Sequence, residues 1–337
     1  MMPRNTILLG DALTRLRELP SAGADTVATS PPYYGTRNYA VPGQLGVEAS
    51  VDEWVANLRA VMREVARVLK PTGSLWLNLA DSYSRHSRYG APPKALLLGP
   101  QRLLLALAAD GWLLRNRVIW HKPNHLPTSV RDRLANAHED MFFLVRQARG
   151  YYFDLDAIRQ PHRSHRTATR PRPARPEPWR GPLSTSVRGL DRLHALGLSG
   201  HPLGKNPGDV WTIPTAPGYG REHPATFPPA LVERPILATC PERVCAACGA
   251  PWRRAKQADP DGWTAAGRVG TIAPSCGCEA AALPGLVVDP FMGSGTTLVV
   301  ARRHHRDFLG VEISRRFAAL ARQRLAAEGT GRHARAA

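Results

Sequence analysis

A glycine-rich segment near the end of the chain has the residue types of a nucleoside-binding loop. It follows a short apolar run, precedes a helical pattern and consists of Asp289-Pro290-Phe291-Met292-Gly293-Ser294-Gly295-Thr296-Thr297. Its glycines lie where the backbone must turn tightly and where a ligand can approach closely. Glu312 ends the next apolar run, where a carboxylate can accept hydrogen bonds from ribose hydroxyls.

Two different interpretations compete with a nucleoside site in this segment. A phosphate-binding P-loop needs a lysine before its serine or threonine, and this segment has none, which argues against an ATPase. A glycine-rich turn that only connects a strand to a helix is the second competing interpretation. Glu312 at the end of the following run favours the ligand site.

A second candidate site, Ser30-Pro31-Pro32-Tyr33, follows the predicted strand from Thr26 to Ala28. The chain has 31 prolines and two other Pro-Pro pairs, so this segment is also consistent with an ordinary turn. Pro32 restricts the backbone and stiffens the loop. The position of the segment after a strand favours a functional loop.

The two motifs together resemble those of the amino-methylating DNA methyltransferases of the N4-cytosine/N6-adenine family. Their order resembles the beta-type branch, in which the catalytic motif precedes the motif for S-adenosylmethionine (SAM). The likeness covers nearly the whole chain and includes His223-Pro224-Ala225-Thr226-Phe227-Pro228, where Phe227 belongs to an additional SAM-side motif. The resemblance implies SAM as cofactor and double-stranded DNA as partner, with a restriction endonuclease acting on the same site as a further possible partner.

The resemblance also assigns roles to individual residues. In the family, the first catalytic residue and the backbone carbonyl of the next accept hydrogen bonds from the reacting amine, and the aromatic residue stacks on the base. These roles correspond to Ser30, Pro31 and Tyr33. Asp11 resembles the position that contacts the adenine of SAM, and it is equally suited to cap the helix that follows it.

An exocyclic amine is a weak nucleophile and is unreachable inside a duplex, so the base must be flipped out. Ser30 at the first position is more frequent in relatives that act on N4 of cytosine, and N6 of adenine is the alternative. No cysteine follows a proline, so the nucleophile of C5-cytosine methyltransferases is absent. Two further classes stay open, a catalytically silent, zinc-bearing DNA-binding protein and a methyltransferase of RNA or protein.

Four of the five cysteines occur in two tight pairs, Cys245-x-x-Cys248 and Cys276-x-Cys278. Four thiolates are a sufficient ligand set for a tetrahedral structural zinc, and reduced free thiols are the alternative. Cys240 is predicted to be a buried thiol.

The formal net charge of +18 favours a polyanionic partner, although a GC-rich genome also enriches arginine. A basic stretch lies where the family has its target-recognition region. It contains Arg163, Arg166, Arg170, Arg172, Arg175, Arg180 and Arg188. We expect DNA contact there, with a disordered solubilising loop as the alternative.

Alternating strand and helix patterns predict an α/β fold, and the resemblance specifies a Rossmann-like, circularly permuted methyltransferase sheet. A helix is predicted from Val51 to Leu69, followed by a strand from Ser74 to Leu79. Trp120-His121-Lys122-Pro123-Asn124 closes another strand, and either approaches the target base or forms a solvated loop. No apolar run is long enough to span a membrane, so we expect a soluble, cytoplasmic protein.

The predicted domain organisation has five parts. The catalytic half of the methyltransferase domain spans residues 1–159, the basic target-recognition region spans 160–222, and the SAM-binding half spans 223–239 and 284–328. A Cys-rich insert with a zinc knuckle occupies 240–283, and residues 329–337 form a basic tail.

Overall fold

An eight-stranded mixed sheet forms the centre of the computed structural model, which describes residues 2–162, 201, 203–215, 226–254 and 270–329. Its strands are β1 (Thr6–Leu9), β2 (Ala24–Thr29), β3 (Leu69–Leu79), β4 (Leu113–His121), β5 (His138–Val145), β6 (Val210–Thr212), β11 (Leu286–Asp289) and β12 (Asp307–Glu312). The order across the sheet is β1-β12-β11-β2-β3-β5-β4-β6. Of these eight described strands, β5 alone runs antiparallel to its neighbours, β3 and β4. This parallel-rich sheet confirms the predicted α/β class.

Helices cover both faces of the sheet. They are α1 (Ala12–Arg17), α2 (Val51–Val68), α3 (Gly99–Ala109), α4 (Pro229–Thr239), α5 (Thr296–Arg303) and α6 (Arg315–Gly329). One apolar core contains Leu16 and Leu58 from the first two helices, and the other contains Ile236 and Leu298 from α4 and α5. Successive strand residues point to opposite cores, so each helix buries its apolar face against the sheet.

The predicted α2 agrees with the structure, and the strand after it begins earlier than expected. Ser50 caps the helix by accepting a hydrogen bond from the backbone N–H of Glu53 at 3.2 Å. The residues from Lys70 to Gly73, predicted to separate helix and strand, belong to β3. An irregular register between β2 and β3 admits these extra residues and explains the difference.

The edge strand β6 was not predicted. Trp211 lies in β6, is 6% exposed and packs against Trp76 with ring centroids 6.1 Å apart. The backbone N–H of Ile119 donates to the carbonyl of Asp209 at 2.7 Å, just before β6 pairs with β4. These contacts give a packing role to a segment in which the sequence alone revealed none.

The chain divides into two compact units. The sheet and helices belong to the unit formed by Met1–Asp154, Asp209–Trp252 and Pro274–Ala337, and the second unit comprises Leu155–Gly208 and Arg253–Ala273. The first unit also holds the antiparallel pair β7 (Val244–Cys245) and β10 (Ala282–Leu283), and the second holds β8 (Arg253–Arg254) and β9 (Ile272–Ala273).

Within the second unit, Gln160 and Lys205 form an isolated antiparallel bridge. The seven arginines of the basic stretch and His223 to Ala225 lie outside the described residues, so the structure leaves the basic target-recognition region a prediction. Across the described ranges, every helix is too short or too polar to cross a membrane.

Candidate active site

The carboxyl ends of the parallel strands surround a cavity of about 820 Å³. This edge is where open α/β sheets bind ligands. Twelve of the residues predicted for catalysis or cofactor binding line the cavity: Asp11, Ser30, Pro31, Pro32, Tyr33, Phe227, Pro290, Phe291, Gly293, Ser294, Thr296 and Glu312. The two motifs, more than 250 residues apart in the chain, therefore meet at one cavity.

The remaining three predicted residues, Asp289, Gly295 and Thr297, lie behind the loop rather than on the cavity wall. Gly295 has a φ of +77°, and a Cβ there would lie 2.8 Å from the Cβ of Ala321 in α6. The Thr297 hydroxyl donates to the carbonyl of Ala28 at 3.2 Å. These residues hold the loop against the sheet.

A buried hydrogen bond joins the two motif-bearing strands. The hydroxyl of Thr29, at the end of β2, donates to Oδ1 of Asp289, at the end of β11, at 2.6 Å. The N–H of Phe291 donates to the same oxygen at 3.0 Å. Burial raises the pKa of Asp289 to about 6, although the hydrogen bond from Thr29 opposes this shift.

The glycine-rich loop is anchored by Glu312 and by an arginine of α6. Glu312 accepts hydrogen bonds from the N–H groups of Gly293 at 2.9 Å and Ser314 at 2.7 Å. Arg324 donates to the backbone carbonyl of Ser294 at 2.7 Å and to its hydroxyl at 2.8 Å. Burial raises the pKa of Glu312. The two oxygens of a carboxylate have about four acceptor positions between them, so Glu312 can still accept hydrogen bonds from a ligand.

The catalytic motif is enclosed by a network that the sequence did not reveal. The hydroxyls of Tyr33 and Ser30 lie 3.0 Å apart, and the Tyr33 hydroxyl is 3.0 Å from Oδ1 of Asn78 and 2.8 Å from Oε2 of Glu139. Trp54 donates from its indole N–H to the carbonyl of Pro32 at 2.9 Å. Burial and the charge of Glu139 raise the pKa of Tyr33 well above its usual value.

The segment that closes β4 contributes a lysine to this network. Lys122 lines the cavity and its ammonium lies 2.9 Å from Oε1 of Glu139. Asn124 exchanges hydrogen bonds with the backbone of Thr215, donating at 3.1 Å and accepting at 2.8 Å. Of the two interpretations of this segment, the position on the cavity wall favours the one close to the target base.

A family model for DNA methylases of the N6/N4 methyltransferase group matches residues 24–323. The chain belongs to this family of SAM-dependent DNA amino-methyltransferases. The resemblance inferred from the two motifs is confirmed.

Among curated relatives, the type II methyltransferase M.SmaI of Serratia marcescens is 32% identical over 340 residues, covering 95% of this chain and 90% of the relative. The type II methyltransferase M.XycI of Xanthomonas campestris pv. cyanopsidis is 31% identical, covering 95% and 87%. The likeness therefore extends over nearly the full length of both relatives.

Solved structures of low identity share the fold. The PvuII DNA methyltransferase (cytosine-N4-specific) superimposes with a TM-score of 0.58 at 19% identity, covering 96% of this chain and 87% of that one. TTHA0409 of Thermus thermophilus, named as a DNA modification methylase and solved with S-adenosyl-L-methionine, gives 0.53 at 23% identity, covering 96% and 94%.

In the methylase, Asp11 both lines the cavity and caps α1. Its Oδ1 accepts hydrogen bonds from the N–H of Thr14 at 2.8 Å and from the Thr14 hydroxyl at 2.9 Å. The capping interpretation is therefore confirmed. Contact between Asp11 and a cofactor stays a prediction.

The methylase brings the two cysteine pairs together. The sulfur atoms of Cys245, Cys248, Cys276 and Cys278 all lie within 4.8 Å of one another. Pairing of β7 with β10 brings the segments together, with Cys245 opposite Ala282. Sulfur ligands of one tetrahedral zinc lie about 3.8 Å apart, given a Zn–S distance of about 2.3 Å, so this set fits a common ion. Cys240 is fully buried elsewhere, as predicted.

The cysteine cluster is attached to the edge of the sheet opposite the cavity. Lys70 donates to the carbonyl of Gly249 at 3.0 Å and to Oδ1 of Asp25 at 2.7 Å. The other oxygen of Asp25 accepts from the N–H of Leu286 at 2.9 Å. These contacts occur where β2, β3 and β11 begin, whereas the cavity lies where they end.

Proposed function

We propose that the methylase transfers a methyl group from SAM to the exocyclic N4 amine of a cytosine flipped out of a specific site in double-stranded DNA. One observation carries this proposal. The Ser30 motif and the glycine-rich loop line the same cavity, so an amine held by one motif faces a cofactor held by the other.

The residues on the cofactor side suit SAM. We propose that Glu312 accepts the ribose hydroxyls and that the loop from Pro290 to Ser294 encloses the methionine portion, with Asp11 and Phe227 beside the adenine. The acceptor positions of Glu312 and the positive φ of 52° at Gly293 match the chemistry that such a ligand requires. When bound, SAM supplies an electrophilic methyl group.

The chain's own residues would position the amine. We propose that the Ser30 hydroxyl and the Pro31 carbonyl accept its two hydrogens and that the Tyr33 ring stacks on the base. These contacts aim the nitrogen lone pair toward the methyl carbon, and one amine proton is lost as the new bond forms. No covalent bond to the enzyme is required, which agrees with the lack of a cysteine among the residues lining the cavity in the described parts of the chain.

Mass spectrometry of nucleosides tests this function. Duplex DNA incubated with the protein and SAM is digested, and the expected product is N4-methylcytosine. N6-methyladenine would overturn the base assignment and keep the enzyme class, whereas 5-methylcytosine or no methylated nucleoside would contradict the mechanism. The Ser30→Ala variant, which removes the proposed acceptor, is the matched control and is expected to give far less product.

We further propose that the four clustered cysteines hold one structural zinc. The support is a closed set of four sulfur ligands from two short segments, the arrangement typical of structural zinc sites. The attachment to the opposite edge of the sheet separates this zinc from the chemistry. Such a site is expected to stabilise the segment around β7 and β10.

A cognate restriction endonuclease is the partner we expect for this enzyme. The relatives M.SmaI and M.XycI are both named type II methyltransferases. Methylation of a site protects it only from an endonuclease that recognises the same sequence. Resistance of methylated plasmid DNA to candidate endonucleases would identify that sequence.

A further inference from the structure

The Tyr33 hydroxyl has more acceptors around it than hydrogens to give them. It lies close to Oε2 of Glu139 and Oδ1 of Asn78, and both of these atoms only accept hydrogen bonds. The amide of Asn78 is held in this orientation because its Nδ2 donates to the carbonyl of Asp140 at 3.1 Å. The single hydrogen of Tyr33 therefore points to Glu139 or to Asn78.

The direction of the bond between Ser30 and Tyr33 follows from this count. Because the hydrogen of Tyr33 is already used, the 3.0 Å contact between the two hydroxyls must be donated by Ser30. The Ser30 hydrogen then points away from the cavity side of the hydroxyl, and both lone pairs of its oxygen remain available.

Glu139 is itself held in place by Lys122. The ammonium group engages Oε1 at 2.9 Å, which leaves Oε2 to face Tyr33, and the two side chains are only 17% and 14% exposed. An ion pair screened from water in this way resists rearrangement. The series Lys122, Glu139, Tyr33, Ser30 is thus polarised in one direction.

We infer that Glu139, held by Lys122, is a positioning residue that acts through Tyr33 to fix Ser30 as a hydrogen-bond acceptor for the reacting amine. The inference rests on the proposed function and adds to it a residue that the motifs did not include. An exocyclic amine only offers hydrogens to its acceptors, so a hydroxyl that turned its own hydrogen toward the nitrogen would oppose binding and consume the lone pair. Preorganised acceptors avoid this reorganisation at the moment of reaction.

Single-turnover methylation with saturating SAM and DNA tests the inference in a double-mutant cycle. Glu139→Gln and Tyr33→Phe, which keeps the ring, are each expected to lower the rate about tenfold or more. Dissociation constants for SAM and DNA should change by less than about threefold, because neither variant removes a direct contact with these ligands. Glu18→Gln, which alters an exposed carboxylate paired with Arg15 at 2.9 Å, is the matched control and should retain the wild-type rate.

The decisive variant combines Ser30→Ala with Glu139→Gln. If Glu139 acts through Ser30, the double variant is expected to be no slower than Ser30→Ala alone, within about twofold. Losses that multiply in the double variant, or a wild-type rate in Glu139→Gln, would overturn the inference. A wild-type protein that methylates no DNA would instead contradict the proposed function, so the two failures are distinguishable.

Discussion

At the scale of single residues, the most informative feature is the buried carboxylate of Asp289. It is 1% exposed, and its hydrogen bond to Thr29 connects the strand that leads into the catalytic motif with the strand that leads into the glycine-rich loop. Burial of a carboxyl group disfavours its charged form, and the hydrogen bonds present offset only part of that cost. The carboxylate therefore couples the stability of the protein to pH.

We predict that Asp289 makes the methylase less stable as the pH rises through about 6. Its pKa in the folded protein lies above the unfolded value, so the folded state binds the proton more tightly, and the resulting stabilisation is lost between the two pKa values. The change is expected to be about 2 kcal/mol between pH 4.5 and pH 7.5. Urea unfolding of wild type and Asp289→Asn at both pH values measures it.

The Asp289→Asn difference isolates the contribution of this carboxyl group from all other titrating groups. The free energy of unfolding of the variant, minus that of wild type, should be larger at pH 7.5 than at pH 4.5, because only wild type loses stability over this range through Asp289. An equal difference at the two pH values would mean that Asp289 titrates alike in both states.

At the scale of elements, the sheet keeps its two edges apart. The catalytic and glycine-rich loops leave the carboxyl ends of β2 and β11, while the cysteine cluster is tied through Lys70 and Asp25 to the beginnings of the same strands. Burial raises the pKa of Asp25 although Lys70 opposes the shift, so this ion pair lies in a poorly hydrated environment. Loss of the contact with Gly249 affects stability before it affects the cavity.

We predict near-stoichiometric zinc in protein purified without chelators, and its loss in the variant Cys245→Ser plus Cys276→Ser. Because the cluster lies at the opposite edge from the cavity, the zinc-free variant should melt at a lower temperature and still bind SAM at low temperature. Metal analysis, thermal unfolding and calorimetry with SAM provide the three measurements. Cys240→Ser, at a buried cysteine outside the cluster, is the control that should retain the metal. Full zinc content in the double variant would contradict the assignment.

The sequence predicted elements better than it predicted contacts between them. Ser30 and the glycine-rich loop follow apolar runs, so their positions at strand ends could be inferred from spacing alone. Glu139 and Asn78 enter the site because β5 pairs antiparallel with β3, and no pattern along the chain encodes that alignment. Trp54 was recognised only as an apolar residue of α2, since the partner of its indole N–H is set by tertiary packing.

At the scale of the whole molecule, the excess of positive charge is the main indication of how DNA is held. The net charge is +18, and the basic stretch from Arg163 to Arg188 belongs to a part of the chain that the structure does not describe. The geometry of the sheet does not reveal a recognition surface, so base specificity and target sequence lie beyond what spacing can predict.

We predict that replacing Arg166, Arg170, Arg172 and Arg175 by glutamine weakens DNA binding and flattens its salt dependence. Each lost phosphate contact removes the release of about one counterion, so the slope of log K against log salt should fall by about 0.9 per contact. Fluorescence titrations between low and moderate salt measure this slope. SAM affinity should remain at the wild-type value, and an unchanged slope would exclude the stretch from the DNA interface.

The pairing of the edge strand β1 has a consequence for how the protein is made. Its neighbour in the sheet is β12, which follows about 300 residues later, and Arg4 and Asn5 both contact Asp307. While the ribosome is still adding residues before β12, β1 has no partner within the sheet, and the strand that carries the glycine-rich loop is itself a late product. Contacts so distant in sequence close slowly. The catalytic half must wait as an incomplete sheet, and this interval is when the nascent chain most needs chaperones.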